Sequence, residues 1–583
     1  MKAIKNNILR LSLLAIMLFA SCSEDAFLDE SNPNAITPDT FWQSEKQFNA
    51  ALIAAYGAIQ FQSVSGGELQ YEFVLGDIAG TESWYRPNAF RNLTFNDGIY
   101  HVTDKWDQLY VGIFRANQVI EYIQDADDEL FTGNAKAEIE GQARFLRAFF
   151  YFQLAHTYGG GVIHEKVANS EDEFEKPFSS KEEVTSRIII PDLTFAKDNL
   201  PQSWDSKNVG RATWGAATSL LGKVYLYDEK WPQAALLFKE VIESDVYSLT
   251  RNIEDNFWHT NEFNQESIFE VNYSSEIAPG VPGAVVDDNA FESGAEATAL
   301  ATALGQLNYG AFNTVLPSYN LHEMLVYDEV DPDNSINDGN LESRRMNSTI
   351  VPMNFEGLYY QLPQGEPKGW GFGQSAYVKK YSNWYHLEAE PALSRSGINY
   401  RHIRYADVLL MYAEAVLNAT NDVDTAIKYI DLVRSRAGVY TLQQYMDMNG
   451  GKFPQLHVSK QVHGDHPMVT PSKETVLTHL QRVERAIELC FEGHRWKDLV
   501  RWGIVEEVFN ELRADEQWRQ TYLNTNGNGE APLFIRERIR PDFVNAAANY
   551  NSVQHNYFPI PNSEVQCSKG KVNSKGLCNK NVA

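Results

Sequence analysis

Apolar residues recur at three- and four-residue spacing over much of the chain, most clearly across 211–243. Trp214, Ala217, Leu221, Val224 and Tyr225 fall on one face of a helix, where side chains at that spacing line up. Trp231-Pro232 interrupts the pattern, because proline suits a first helical turn and not an interior one. Ala234, Leu237, Phe238 and Val241 then build a second apolar face. The stretch predicts a helical hairpin.

The same periodicity predicts helices over 106–123, 135–158, 181–199, 400–418, 423–437 and 472–491, with 181–199 kinked or divided at Pro191. Thr37-Pro38-Asp39-Thr40 reads as a helix start leading into Phe41, Phe48, Leu52, Ala55 and Tyr56, and Gly159-Gly160-Gly161 stops the helix before it. Leu221-Gly222-x-x-Tyr225 followed by Ala234-x-x-x-Phe238 fits the tetratricopeptide template, with small residues where two helices approach. Ala413, Leu417, Ala426 and Ile430 repeat that spacing in a second hairpin.

Between these segments the period is lost. Residues 62–103 read as loop, and 247–400 as a long irregular insertion with one strand at 267–273 and a short helix near 318–326. Long irregular stretches inside a compact domain are usually functional surfaces. The predicted fold is mainly α: a scaffold of tetratricopeptide-like helical pairs at about 37–60, 104–245, 400–440 and 472–505. Loop-rich insertions at about 61–103, 246–399 and 506–583 make the second half irregular. Residues 37–583 form one domain in this reading.

The N-terminus adds a compartment. Lys2, Lys5 and Arg10 precede the apolar run 11–20, which is too short to span a bilayer and reads as a signal peptide over 1–21. Leu18-Phe19-Ala20-Ser21-Cys22 resembles the lipobox of bacterial lipoproteins, in which the cysteine is lipidated and becomes the first mature residue. Cys22 is thus the expected lipid anchor, with 22–36 as its tether. Acylation contributes roughly 0.8 kcal/mol per buried methylene. Ser23-Glu24-Asp25 resembles an acidic export signal to the outer face of the outer membrane. Loss of the signal peptide removes three cations and takes the formal charge from −27 to −30, which argues against nucleic acid and anionic lipid as partners. Cys490 lies in a helical apolar pattern and reads as a buried thiol, while Cys567 and Cys578 could close a small loop.

Six segments carry a resemblance that is collinear over almost the whole mature chain. They are Trp106-Asp107-Gln108-Leu109-Tyr110 with Arg115-Ala116-Asn117; Ala143-Arg144-Phe145-Leu146-Arg147-Ala148 on to Tyr158-Gly159; the 211–243 hairpin; Arg404-Tyr405-Ala406-Asp407 on to Ala413-Glu414-Ala415; 485–498 with Arg501-Trp502-Gly503; and 557–561. Together with the lipobox they resemble the SusD/RagB family of outer-membrane nutrient-binding lipoproteins. The resemblance implies about four tetratricopeptide-like pairs, a cell-surface location, and a SusC-like TonB-dependent transporter as partner. It further implies a non-enzymatic role, in which the lipoprotein captures glycan and passes it to that transporter. Capture of peptides or glycopeptides, a surface glycoside hydrolase, and a lid whose own sugar site is dispensable remain alternatives.

Glu492, His494, Arg495 and Asp498 could do acid–base work, but charges at a helix end are more often ion pairs and caps, and they are assigned to the scaffold. The acidic run 328–338 superficially resembles a calcium loop, yet Ile336 stands where the glycine is needed. It reads as a plain loop. No metal, cofactor or catalytic residue is expected. Sugar recognition needs flat aromatic faces with polar groups beside them, so loop aromatics are the candidates. Trp84 and Tyr85, between Asp77, Glu82 and Arg86, fit best. The insertion adds Tyr309, Phe312, Tyr359, Tyr360, Trp370 and Trp384-Tyr385. Trp214, Trp231, Trp496 and Trp502 lie in helical segments and are expected to pack.

Overall fold

The computed structural model describes residues 38–168, 173, 176–276, 296–353, 355, 357–363, 374–385, 396–526, 533, 535, 537–562 and 564. The signal peptide, Cys22, Trp370, Cys567 and Cys578 lie outside the described residues. Among the described residues no helix is long and apolar enough to cross a membrane.

The scaffold is a chain of helices in which each packs on the next: α1 (Glu45–Gly57), α2 (Tyr100–Asp125), α3 (Ala135–Tyr158), α4 (Ile190–Asn199), α5 (Trp214–Tyr227), α6 (Trp231–Glu243), α7 (Tyr405–Thr420) and α8 (Val423–Arg436). The α5–α6 hairpin forms as its pattern predicts. Thr213 caps α5 by accepting from the Ala216 N–H, and Pro232 occupies the first turn of α6. A Cβ on Gly222 would stand 2.6 Å from the Phe238 ring, so close approach of the two helices needs glycine there. The predicted 181–199 helix is divided near Pro191 as expected, by a π-helical turn (Thr185–Ile189) just before α4.

Three boundaries differ from the sequence reading. Residues 400–404, expected to be helical, form a strand (Tyr400–Arg404) that pairs antiparallel with Ser267–Val271, and α7 starts only at Tyr405. Residues 62–103 are not a surface loop: short helical turns at Gly67–Leu69, Gln70–Phe73 and Asn88–Arg91 bury most of it, and α2 begins at Tyr100. The tail holds a 22-residue helix, Val505–Asn526. Its buried face includes Glu516 and Arg519 beside Val508, Phe509, Leu512 and Leu523, so charge interrupts the apolar stripe that would have announced it.

The charged segment before the tail lies in the core. Arg404 binds Glu266, Glu488 and Glu492 at 2.7–2.8 Å, and Arg436 binds Glu266 and Glu488 at 2.6 Å. Arg434 and Arg345 share Asp328 and Glu484. Asp498 is held by Arg485 and Arg501, and His494 lies 3.1 Å from Lys223 Nζ. All of these residues are buried except Arg501, which is half-buried. Burial alone would raise the Glu488 carboxyl, but the guanidinium groups of Arg436, Arg404 and Arg345 hold it below the usual range. Asp328 is spent on this network, so the 328–338 run contributes structure. Cys490 is buried, with a free thiol.

Candidate functional site

The loop that carries Trp84 is fixed at its base and open at its tip. A two-residue strand, Ala79–Gly80, pairs antiparallel with Leu316–Pro317. Thr81 then donates its backbone N–H to Asp542 and its hydroxyl to the Thr314 carbonyl at 2.6 Å. Glu82, buried, is paired with Arg538, and the Tyr85 N–H donates back to the Glu82 carbonyl at 3.1 Å. The backbone is thus held while Trp84 stands 60% exposed. Its ring lies 6.0 Å from that of half-buried Tyr85, tilted by 49°.

The insertion supplies the other half of this surface. Leu316–Pro317 also packs beside the strand Ala376–Val378, which pairs with Ile350–Pro352. That arrangement sets a small aromatic cluster of Phe355, Tyr359, Tyr360 and Tyr377 under the loop 305–314. Tyr309 lies on this cluster, stacked on Tyr360 at 4.9 Å and 13° and edge-on to Tyr359 at 6.1 Å. A Cβ on Gly305 would meet the Tyr360 hydroxyl, so the loop can pass over the ring only because glycine is there. Leu307 and Phe312 flank Tyr309 and are about half exposed. Tyr377 lies buried in this cluster, and burial raises its hydroxyl pKa.

The result is an open aromatic shelf. Buried beneath it, Gln374 accepts from the Tyr377 hydroxyl at 2.7 Å and Asn383 accepts from the Tyr360 hydroxyl at 3.2 Å. Flat rings with hydrogen-bonding edges suit a polar ring that shows C–H groups on its faces and hydroxyls at its rim. The carboxylate next to Trp84 in this arrangement, Glu82, is paired with Arg538.

Of the sequence candidates, Trp84 and Tyr85 lie side by side, and Tyr309 lies on the Tyr359–Tyr360 cluster of the insertion. Two others are corrected. Asp77 is 1% exposed and bound through both oxygens to Arg495 at 2.6 and 2.7 Å, which makes it part of the core. Tyr385 is buried, stacked on His259 at 4.3 Å and on Trp258 at 5.6 Å. Both errors share a cause: neighbours along an irregular chain need not face the same way. Tyr377 and Arg538 were missed, and no local signal marks either one, since Arg538 meets Glu82 across 456 positions of sequence.

Comparison with known proteins covers most of the chain. The SusD family matches residues 319–576, and a family described as starch-binding and associating with the outer membrane matches residues 26–226. SusD-like protein P25 of Formosa agariphila is 24% identical over 573 residues, covering 92% of this chain and 97% of its own. A SusD superfamily protein from Bacteroides vulgatus superposes with a TM-score of 0.69 at 26% identity, covering 91% of this chain and 98% of that one. Surface glycan-binding protein A from Bacteroides thetaiotaomicron, solved with laminarihexaose, gives 0.61 at 21% identity and covers 91% of this chain and all of that one.

Proposed function

Because the chain belongs to the SusD family, we propose that it is a surface glycan-binding lipoprotein, anchored through Cys22, that captures oligo- or polysaccharide and delivers it to a SusC-like TonB-dependent transporter. The family binds carbohydrate and is not enzymatic. The aromatic shelf is the observation that carries the reading. Trp84 is the most exposed tryptophan among the described residues, yet the backbone beneath it is held by four named contacts. A large apolar ring kept in water on a fixed support loses little entropy when a ligand covers it. Trp84, Tyr85 and Tyr309 would supply the stacking faces. A shallow site of this kind gives modest affinity.

Calorimetric titration of the chain from residue 23 onward against plant, microbial and host polysaccharides tests the proposal, with products followed by chromatography. Binding to one class without shortened products is expected. Cleavage, or silence across the panel, would count against glycan capture at this shelf. Co-purification with a large outer-membrane protein tests the transporter.

A further inference from the structure

A second concavity shares no residue with the shelf. It lies where the C-terminal ends of α3 and α5 meet the π-helical turn Thr185–Ile189, the helix Arg495–Trp502 and Tyr557, and it encloses about 530 Å³, a size typical of small-molecule sites. In a chain of net charge −27, Lys181, Lys230, Lys497 and Arg501 all border it. Of the acidic residues on its wall, Glu182 and Glu229 are exposed to solvent, and Asp228 pairs with Lys230 at 3.3 Å. Lys497 and Arg501 are tied to Glu72 and Glu414, neither of which lines the cavity. Lys181 has no carboxylate partner among the described residues.

Two features point to a ligand. Thr185, 2% exposed, lines the cavity and its hydroxyl has no hydrogen-bond partner; a buried polar group left unmet costs about 1–3 kcal/mol. It belongs to the π-helical turn, and such turns occur frequently at functional sites. The field in the cavity is positive as well. Burial lowers the pKa of the bordering His156, and Lys181, Lys497, Lys223 and Arg501 lower it further, so the ring is neutral and can donate or accept one hydrogen bond.

We propose that this cavity is a second binding site, for an oxyanion carried on a sugar-sized polar ligand: the carboxylate of a uronic acid or the sulfate of a sulfated sugar. Lys181 pairs with the anion, and the Thr185 hydroxyl donates to it. The half-buried Tyr557 ring, on the wall of the same cavity, offers a face for the carrier. The anion follows from the cavity alone, while the sugar carrier rests on the carbohydrate reading of the shelf.

The test is calorimetry with sodium sulfate, sodium glucuronate and glucose on the chain from residue 23 onward, and on its Lys181→Ala, Thr185→Val and Trp84→Ala variants. Expected are binding of sulfate or glucuronate but not glucose, affinity that falls with added sodium chloride, at least tenfold weakening in Lys181→Ala, a smaller loss in Thr185→Val, and no change in Trp84→Ala. Glucuronate binding names the uronate class, and sulfate binding without glucuronate names the sulfated class. Failure of both anions to bind, glucose binding as well as glucuronate, or unchanged affinity in Lys181→Ala would each overturn the proposal. Trp84→Ala separates the two sites, so either can fail alone.

Discussion

Two regions of this molecule invert the usual placement of side chains. In the core, Arg404, Arg434, Arg436 and Arg345 are buried among Glu266, Glu484, Glu488 and Asp328. On the surface, Trp84 stands in water. Each guanidinium in the first region meets two or three carboxylates, so the cost of taking charge out of water is offset by close pairing that leaves few hydrogen-bonding positions empty. In the second region the ring is 60% exposed, although its support is fixed. Chemical capability therefore does not mark function here. The acid–base groups of 488–498 hold elements together, while Trp84 is left 60% exposed.

The largest effect that sharpens this contrast belongs to Arg404→Ala. It would leave Glu266, Glu488 and Glu492 short of a cation in the core, and destabilisation of about 3–5 kcal/mol is expected in urea unfolding. Asp77→Ala should act in the same way at the Arg495 pair, costing about 3 kcal/mol, with glycan affinity unchanged wherever the protein remains folded. A loss of affinity without loss of stability would return Asp77 to the binding site.

Acid tests the network as a whole. Burial would raise Asp498, but Arg485 and Arg501 outweigh it and hold its pKa at about 2, against 3.8 unperturbed. Glu488 and Glu492 are likewise depressed. A depressed carboxyl contributes stability that is full above its unfolded pKa and is lost as pH falls through its folded one, so melting temperature should decline between about pH 5 and pH 2. Asp498 alone accounts for about 2 kcal/mol of that loss. A melting temperature flat over that window would contradict the assignment. The smallest expected effect is at Tyr309, which stacks on Tyr360 at one edge of the shelf. Tyr309→Ala should weaken glycan binding about threefold, roughly 0.6 kcal/mol, as read by titration.

The helical scaffold was legible because its apolar period survives in the sequence, as in Trp214, Leu221 and Val224 or Ala426 and Ile430. Where charges take core positions the period disappears. The helix Val505–Asn526 buries Glu516 and Arg519, and the strand Tyr400–Arg404 buries two arginines. At the candidate site, Trp84 could be chosen because it sits in irregular chain with no periodic face to bury it. Asp77 and Tyr385 met the same criterion and are core residues, since their partners, Arg495 and His259, are remote in sequence. Tyr377 and Arg538 gave no signal because the shelf is assembled from segments that only the tertiary fold brings together.

The central claim is that Trp84 is exposed for binding and not for structure, and titration of Trp84→Ala beside its melting curve tests it most directly. The account predicts at least tenfold weaker binding of the glycan that the parent chain binds, about 1.4 kcal/mol, with a melting temperature within a degree or so of the parent because little packing is lost. Undiminished binding, or a variant that melts early, would contradict it.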